Sequence, residues 1–258
     1  MDKPTRRPWW SHLRFGLRTL IVLVLLIGGI LGWTVHQAQV QREAVAAVLR
    51  AGGRVRYDWE VPAKAKPTFW GGMGGGSMGG GLTGQPVANS KPPWPRWLVD
   101  RMGLDYFGHV VEVDLFGHGS DADLESIGRL RRLERLVLAR SAVTDLGLAH
   151  LKELTELQGL YLGATRVSNA GLAHLKGLTR LRGLGLDGTR VSDTGLAPLE
   201  GMTSLQQLVL EGTEVSDAGL VHLKGMTELR ILSLGGTRVT ANAVQELQEL
   251  LPKASISR

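Results

Sequence analysis

The chain carries two different patterns of apolar positions. Residues 19–35 form one apolar stretch of 17 residues without a charge, whereas apolar residues after position 110 recur at fixed intervals. At ~1.5 Å per helical residue, the first stretch would extend about 26 Å, close to the ~30 Å hydrocarbon core of a bilayer. Beginning at Phe15 lengthens it further, with Arg18 reaching the head groups. We therefore predict one transmembrane helix over residues 15–35.

The flanking charges predict its orientation. Residues 1–18 hold five cations and one anion, and the first cation after the apolar stretch is Arg42, beside Glu43. The positive-inside rule makes residues 1–18 a basic cytoplasmic tail and places the C-terminal domain outside the cytoplasm, at the cell membrane. No small-x-small cleavage site closely follows the apolar stretch, which favours an uncleaved signal-anchor over a signal peptide.

A short patterned piece and a linker follow the predicted span. Residues 40–49 have helical apolar spacing, Gly52 and Gly53 mark a helix end, and residues 54–59 alternate as a short strand would. We interpret 36–59 as a juxtamembrane helix and strand, either a candidate N-terminal cap of the following domain or a free stalk. Residues 71–81 contain eight glycines, which predicts a Gly/Pro-rich linker over 60–95.

The second pattern is a repeat with a period of 24 residues. Residues 157–180 read LQGLYLGATRVSNAGLAHLKGLTR and residues 181–204 read LRGLGLDGTRVSDTGLAPLEGMTS. One copy has too few aliphatic side chains to offset the ordering of its backbone, so the copies must stack to be stable. The copies begin at Leu133, Leu157, Leu181, Leu205 and Leu229, after a 23-residue variant that begins at Val110.

The shared frame L-x-x-L-x-L-x-x-T-x-V-S-D-x-G-L resembles the leucine-rich repeat, and its second half looks like a bacterial 24-residue subclass. The resemblance implies an α/β solenoid over 96–258, with about six repeats in 110–252, parallel strands on the concave face and short helices on the convex face. The frame is also similar to the Cys-containing repeats of F-box adaptor proteins. Here the turn position holds only hydroxyl residues: Ser141, Thr165, Thr189, Thr213 and Thr237.

Polar positions inside the frame predict local hydrogen bonds. The turn hydroxyl is expected to bond to nearby backbone, and Thr144 and Ser168 are good N-caps for the convex helices. The residue after each cap is acidic or an amide, as at Asp145, and would lie in the first helical turn, where the macrodipole favours negative charge.

The frame predicts three columns of side chains on the concave face, at its third, fifth and seventh positions. Many column positions are glycine, which suits the docking of a polypeptide or a glycan. The large or charged members are the candidate binding residues: Glu112, Asp114, Phe116, Arg135, Tyr161, Asp187 and Glu211.

Composition and motifs argue against catalysis and nucleic-acid binding. The net charge of +6 arises before residue 101, since residues 101–258 hold 17 cations and 19 anions, and there is no cysteine. A G-x-S-x-G match at Ser77 lies in the glycine tract, and a G-x-G-x-x-G match at 183–188 lies on a repeat strand, so neither has the context of its motif. We predict no enzyme activity, no cofactor and no metal site.

The resemblance implies protein interaction as the usual work of such an array. The first interpretation is therefore a membrane-anchored binding module with an unknown protein or glycan ligand outside the cytoplasm. The alternative is a self-associating membrane scaffold, a homodimer through Gly28 and Gly32, although glycine is common in membrane helices. An intracellular-facing adaptor of the F-box-type repeat class is a third, weaker interpretation.

Overall fold

A computed structural model of the chain describes residues 17–60, 94–103, 106 and 108–258. Most of the predicted basic tail and the predicted linker from residue 61 to 93 lie outside the described residues, as does the side chain of Arg18.

The first described element is one continuous helix, α1 (Leu17–Arg50), of 34 residues. The sequence predicts a membrane helix and a separate juxtamembrane helix, but nothing between Val35 and Val40 stops the helix, so the two are joined. The large apolar side chains from Leu20 to Val35 are exposed. The Thr19–Arg50 part is long and apolar enough to cross a membrane, a property that signal sequences share.

The C-terminal part of α1 packs against the repeat domain. Ala38, Gln41, Ala44 and Val48 are buried, at the spacing of one helical face. Gln41 donates from Nε2 to the backbone oxygen of Gly108 (2.8 Å) and accepts from the amide of Val110 (3.2 Å). Residues 38–48 of α1 therefore close the N-terminal end of the array.

After α1 the chain turns at a glycine pair and enters the sheet. Gly52 has a φ of +82°, and a Cβ at Gly53 would lie 2.6 Å from the backbone oxygen of Asp114. Only glycine fits both needs. The strand that follows pairs antiparallel with the first repeat strand, so the chain before and the chain after the 60–95 segment contribute to one sheet.

One eight-stranded sheet lines the concave side, with its strands in sequence order and all pairs after the first parallel. Leucines of each repeat fill the space between this sheet and the convex helices and are fully buried. The strands are β1 (Arg54–Tyr57), β2 (Val110–Asp114), β3 (Arg135–Val137), β4 (Gly159–Tyr161), β5 (Gly183–Gly185), β6 (Gln207–Val209), β7 (Ile231–Ser233) and β8 (Ser255–Ser257).

Strand β8 lies beyond the predicted end of the array. The sequence predicts that the last repeat ends at Pro252, yet the chain turns there and adds one more parallel strand. Leu234 donates its amide to the backbone oxygen of Ser257 (2.7 Å), and Ile256 lies beside Leu232 in the register. The strand was missed because Ser-Ile-Ser retains only one apolar position of the repeat frame.

The convex side is built from short helical segments, because a 24-residue repeat leaves few residues for them. Two repeats use only 3₁₀ helix, and one of these contains Pro198. The α-helices are α2 (Arg96–Met102), α3 (Asp121–Ile127), α4 (Asp145–Leu148), α5 (Asn169–Leu172) and α6 (Ala241–Leu250), and the 3₁₀ segments are Asp58–Glu60, Ala149–Leu151, Ala173–Leu175, Asp193–Leu199 and Asp217–Leu223.

The local hydrogen bonds predicted inside each repeat are largely confirmed. The hydroxyl of Thr165 donates to the backbone oxygen of Leu162 (2.6 Å), and Thr189, Thr213 and Thr237 repeat this bond. Ser141 is the exception among the described turn residues, since its buried hydroxyl has no partner. Thr144 caps α4, accepting from the amide of Leu146 (3.3 Å).

The residue after each cap does more than the sequence indicates, because it joins neighbouring repeats. Asp145 accepts from the amide of Ser168 (2.7 Å) and from its hydroxyl (2.6 Å), one repeat further on. We call this series of bonds the cap ladder. Its other members are Asp121 with Thr144, Asn169 with Ser192, Asp193 with Ser216, and Asp217 with Thr240.

Candidate binding surface on the concave sheet

The strand register aligns the columns that the sequence defines. In the third-position column Glu112 lies beside Arg135, and Arg135 beside Gly159. In the fifth-position column Asp114 lies beside Val137, and Val137 beside Tyr161. The backbone hydrogen bonds between neighbouring repeats continue past the strand ends, where the amide of Gly188 donates to the backbone oxygen of Glu211 (2.7 Å). The seven candidate residues thus share one face, but they fall into separate groups along it.

The first group is an ion cluster that includes Arg56, a residue outside the predicted columns. Glu112 is 5% exposed and lies between two arginines, with Oε2 2.9 Å from Arg56 and Oε1 3.5 Å from Arg135. Burial raises the pKa of Glu112, and the two arginines oppose that rise. Arg56 lies on β1, before the linker, so the repeat frame could not place it; the alternation of residues 54–59 was its only signal.

An aromatic contact extends this cluster to the next strand. The guanidinium of Arg135 lies over the ring of Tyr161, 5.1 Å from its centroid. Burial raises the pKa of Tyr161. A Cβ at Gly185 would lie 3.4 Å from the Cδ1 atom of Tyr161, so the ring occupies space left by the next strand's glycine.

Asp114 and Phe116 lie beside the ion cluster and serve local structure as well as the surface. Asp114 is 8% exposed, and its Oδ1 accepts from the amide of Phe116 (3.0 Å). The ring of Phe116 lies under the guanidinium of Arg140, at 5.6 Å. Asp114 is therefore largely committed to shaping the end of β2, and the part-buried ring of Phe116 contacts Arg140.

The second charged group is acidic and lies toward the C-terminal repeats. Burial raises the pKa of Asp187, and the nearby charge of Glu211 raises it further, while its own backbone amide and Arg140 oppose the shift. Gly163 makes room for this carboxylate, because an added Cβ would overlap both Asp187 oxygens. Asp187 and Glu211 thus form a negative end of the surface, set apart from Arg56 and Arg135.

Glycines lie between these groups. Gly159, Gly163, Gly183 and Gly185 are all buried, Gly185 against the ring of Tyr161 and Gly163 against the carboxylate of Asp187. The columns contain no histidine, cysteine or lysine. We call the face from Arg56 to Glu211 the concave trough; its side chains supply charged groups and an aromatic ring.

Two concavities lie on the helical side of the domain. One, of about 420 Å³, lies between the Asp217–Leu223 segment and α6, and an open groove of about 740 Å³ lies where α1 meets the turns after α3 and α4. Among the described residues, no group of three or more His, Cys, Asp or Glu side chains is arranged to hold a metal ion.

Comparisons with known proteins find likeness in structure only. No protein-family model matches the chain, and no curated protein matches its sequence. An internalin from Listeria monocytogenes is 24% identical with a TM-score of 0.45, over 52% of this chain and 36% of its own. Internalin C2 from the same organism is 20% identical with a TM-score of 0.39, over 60% of this chain and 83% of its own. The chain thus spans about a third of the first of these proteins.

Proposed function

We propose that the chain is a single-pass membrane protein that binds another polypeptide in its concave trough, outside the cytoplasm and without catalysis. The observation that carries the proposal is the concave trough, where Tyr161 lies between the ion cluster of Arg56, Glu112 and Arg135 and the acidic pair of Asp187 and Glu211. A half-buried aromatic ring between charged groups suits contact with another polypeptide.

The acidic end also gives the partner a direction. The partner's basic side chains would lie near Asp187 and Glu211, because at the other end Arg56 and Arg135 are balanced by Glu112 and Asp114. Complementary charges of this kind contribute chiefly to specificity and to the rate of association. Tyr161 is the aromatic anchor at the centre, the residue type that most often dominates binding energy.

Capture with the detergent-solubilised full chain from native membranes tests this proposal. We expect a discrete partner that is lost with Tyr161→Ala combined with Glu211→Arg. A matched control pairs Leu146→Ala with Glu214→Arg, two exposed residues outside the columns, and changes the net charge equally. Equal retention of the partner by both double variants, or equal loss, would contradict binding in the trough.

The membrane topology is tested separately. The apolar, exposed surface of α1 and the cations at residues 1–18 support a cytoplasmic N-terminus. Alkaline phosphatase fused after Arg258 should be active in a bacterial host, since the enzyme matures only outside the cytoplasm. An inactive phosphatase fusion together with a fluorescent cytoplasmic reporter at the same site would reverse the assignment.

Self-association is a second candidate, supported by the glycines of α1. Gly28 and Gly32 lie one helical turn apart, and nothing lies within 4 Å of a Cβ added to either. Such an open face suits close approach of a second copy. Crosslinking the full chain in membranes should give a dimer that Gly32→Ile removes; a monomer in both cases would exclude this role.

A further inference from the structure

One edge of the repeat domain is rich in cations. The turns 128–134, 152–158 and 176–182 connect the convex segments to the starts of β3, β4 and β5, and we call them the strand-start edge. Together they hold seven cations and three anions, a net charge of +4, although the whole of residues 101–258 is slightly acidic. The charge of the domain is therefore unevenly distributed.

Several of these cations have no anionic partner. Arg131 pairs with Glu153, and Arg180 with Glu156. In contrast, no carboxylate of the described chain forms an ion pair with Lys152, Lys176 or Arg182, and all three side chains are exposed. A row of uncompensated exposed cations is available to an external anionic surface.

The strand-start edge lies close to the point on α1 where the exposed apolar residues end. Gln41 contacts the start of β2 and Gly53 contacts its end, so α1 runs alongside β2 in the same direction. Its exposed apolar part therefore projects from the strand-start side. Ala38 is already buried against the domain, three residues after Val35.

Direct contacts place the cations beside this exit point. Arg129 lies 3.7 Å from Glu43 of α1. The groove of about 740 Å³ joins His36 and Gln37 of α1 to Arg131 and Lys152 of the edge. Because α1 is one continuous helix into the domain, a bilayer that surrounds residues 19–35 would come within a few residues' reach of these side chains.

We infer that the strand-start edge rests on anionic phospholipid head groups and so fixes the orientation of the domain on the membrane. This inference depends on the proposed membrane anchoring by α1. With the edge on the bilayer, the strands stand along the membrane normal and the concave trough opens sideways, so that a partner reaches it parallel to the membrane. Each lysine or arginine near an anionic surface favours this orientation by about fivefold.

The test uses spin labels on the full chain in lipid nanodiscs, which is simplified because the chain has no cysteine. One label is placed at Thr179→Cys on the strand-start edge and another at Ala170→Cys on the opposite edge, both exposed positions. Relaxation by nickel chelated to lipid head groups reports the distance to the membrane. Discs of phosphatidylcholine are compared with discs containing about 30% phosphatidylglycerol, an anionic lipid.

We expect stronger relaxation at position 179 than at position 170. Phosphatidylglycerol should increase the relaxation at position 179, and about 1 M KCl should remove this increase, since the Debye length is then only ~3 Å. The variant Lys152→Glu/Lys176→Glu/Arg182→Glu should lower the ratio of docked to undocked orientations about a hundredfold. Arg166→Glu/Arg190→Glu/Arg238→Glu changes the net charge equally, at exposed turns of the opposite edge, and should keep the lipid effect.

Equal relaxation at both labels, no effect of phosphatidylglycerol, or the same loss in both triple variants would overturn the inference. Extraction of the chain from native membranes by alkaline carbonate is a separate readout. Release of the chain by carbonate would refute membrane anchoring by α1. Retention of the chain without an effect of phosphatidylglycerol would refute only the contact between the strand-start edge and the lipid.

Discussion

The cap ladder gives the sharpest prediction about stability, at Asp193. This carboxylate accepts from the amide of Ser216 (2.7 Å) and from its hydroxyl (2.6 Å), in the next repeat. A hydrogen bond to an ionised group contributes about 1.5–3 kcal/mol net, and the partly buried amide of Ser216 would lose its acceptor. Since water can reach part of the site, we expect Asp193→Ala to lower the free energy of unfolding by about 2–4 kcal/mol.

The chain supplies its own control for this prediction. Asn169 occupies the equivalent position one repeat earlier, where its Oδ1 accepts from the amide of Ser192 (2.9 Å) and its Nδ2 donates to the hydroxyl (2.8 Å). Asp193→Asn should therefore retain most of the stability. The assay is urea unfolding of the full chain in detergent micelles, followed by circular dichroism. A loss below about 0.5 kcal/mol for Asp193→Ala, within the range of ordinary surface substitutions, would refute the proposed role of the ladder.

Three further predictions follow from the same geometry. A Cβ at Gly219 would lie 2.6 Å from Oδ1 of Asp193, so Gly219→Ala should cost about 1–3 kcal/mol in urea unfolding, whereas Gly201→Ala, with nothing within 4 Å, should cost nothing measurable. Asp187→Asn should raise the free energy of unfolding at pH 7. Because the pKa of Asp187 is raised in the folded state, its charged form destabilises the fold. The gain over wild type should therefore vanish as the pH falls from above the folded-state pKa to below the unfolded-state pKa. Arg56→Ala removes one of two cations that oppose the raised pKa of Glu112, so the variant should lose stability at pH 7 and recover part of it on acidification; a pH-independent loss would assign Arg56 a packing role only.

The repeat frame determined most of the fold because its spacing is local and periodic. Residues 24 apart must lie side by side when copies stack, so the columns through Arg135 and Tyr161 follow from counting. Contacts between distant segments carried no such signal. Arg56 joins the surface only because β1 pairs with β2 across residues 58–109, and β8 keeps a single apolar position of the frame.

Some frame residues have a second role, a contact with the neighbouring repeat, that the sequence of a single repeat does not indicate. An aspartate after a cap interacts favourably with the helix dipole, and this interaction alone would account for an aspartate at position 145. The bonds of Asp145 to Ser168 appear only when two repeats are stacked. The same holds for the glycine of the G-L pair: at Gly171, an added Cβ would meet Asp145 of the preceding repeat.

The most direct test of the binding role is photo-crosslinking from the concave trough in living cells. A benzophenone amino acid replaces Tyr161 in the trough, and the control places it at Ala173, an exposed residue of a convex 3₁₀ segment. We expect one discrete adduct from position 161, absent from position 173 and lost when Glu211→Arg is added. Adducts from position 173 alone, or identical adducts from both positions, would contradict it.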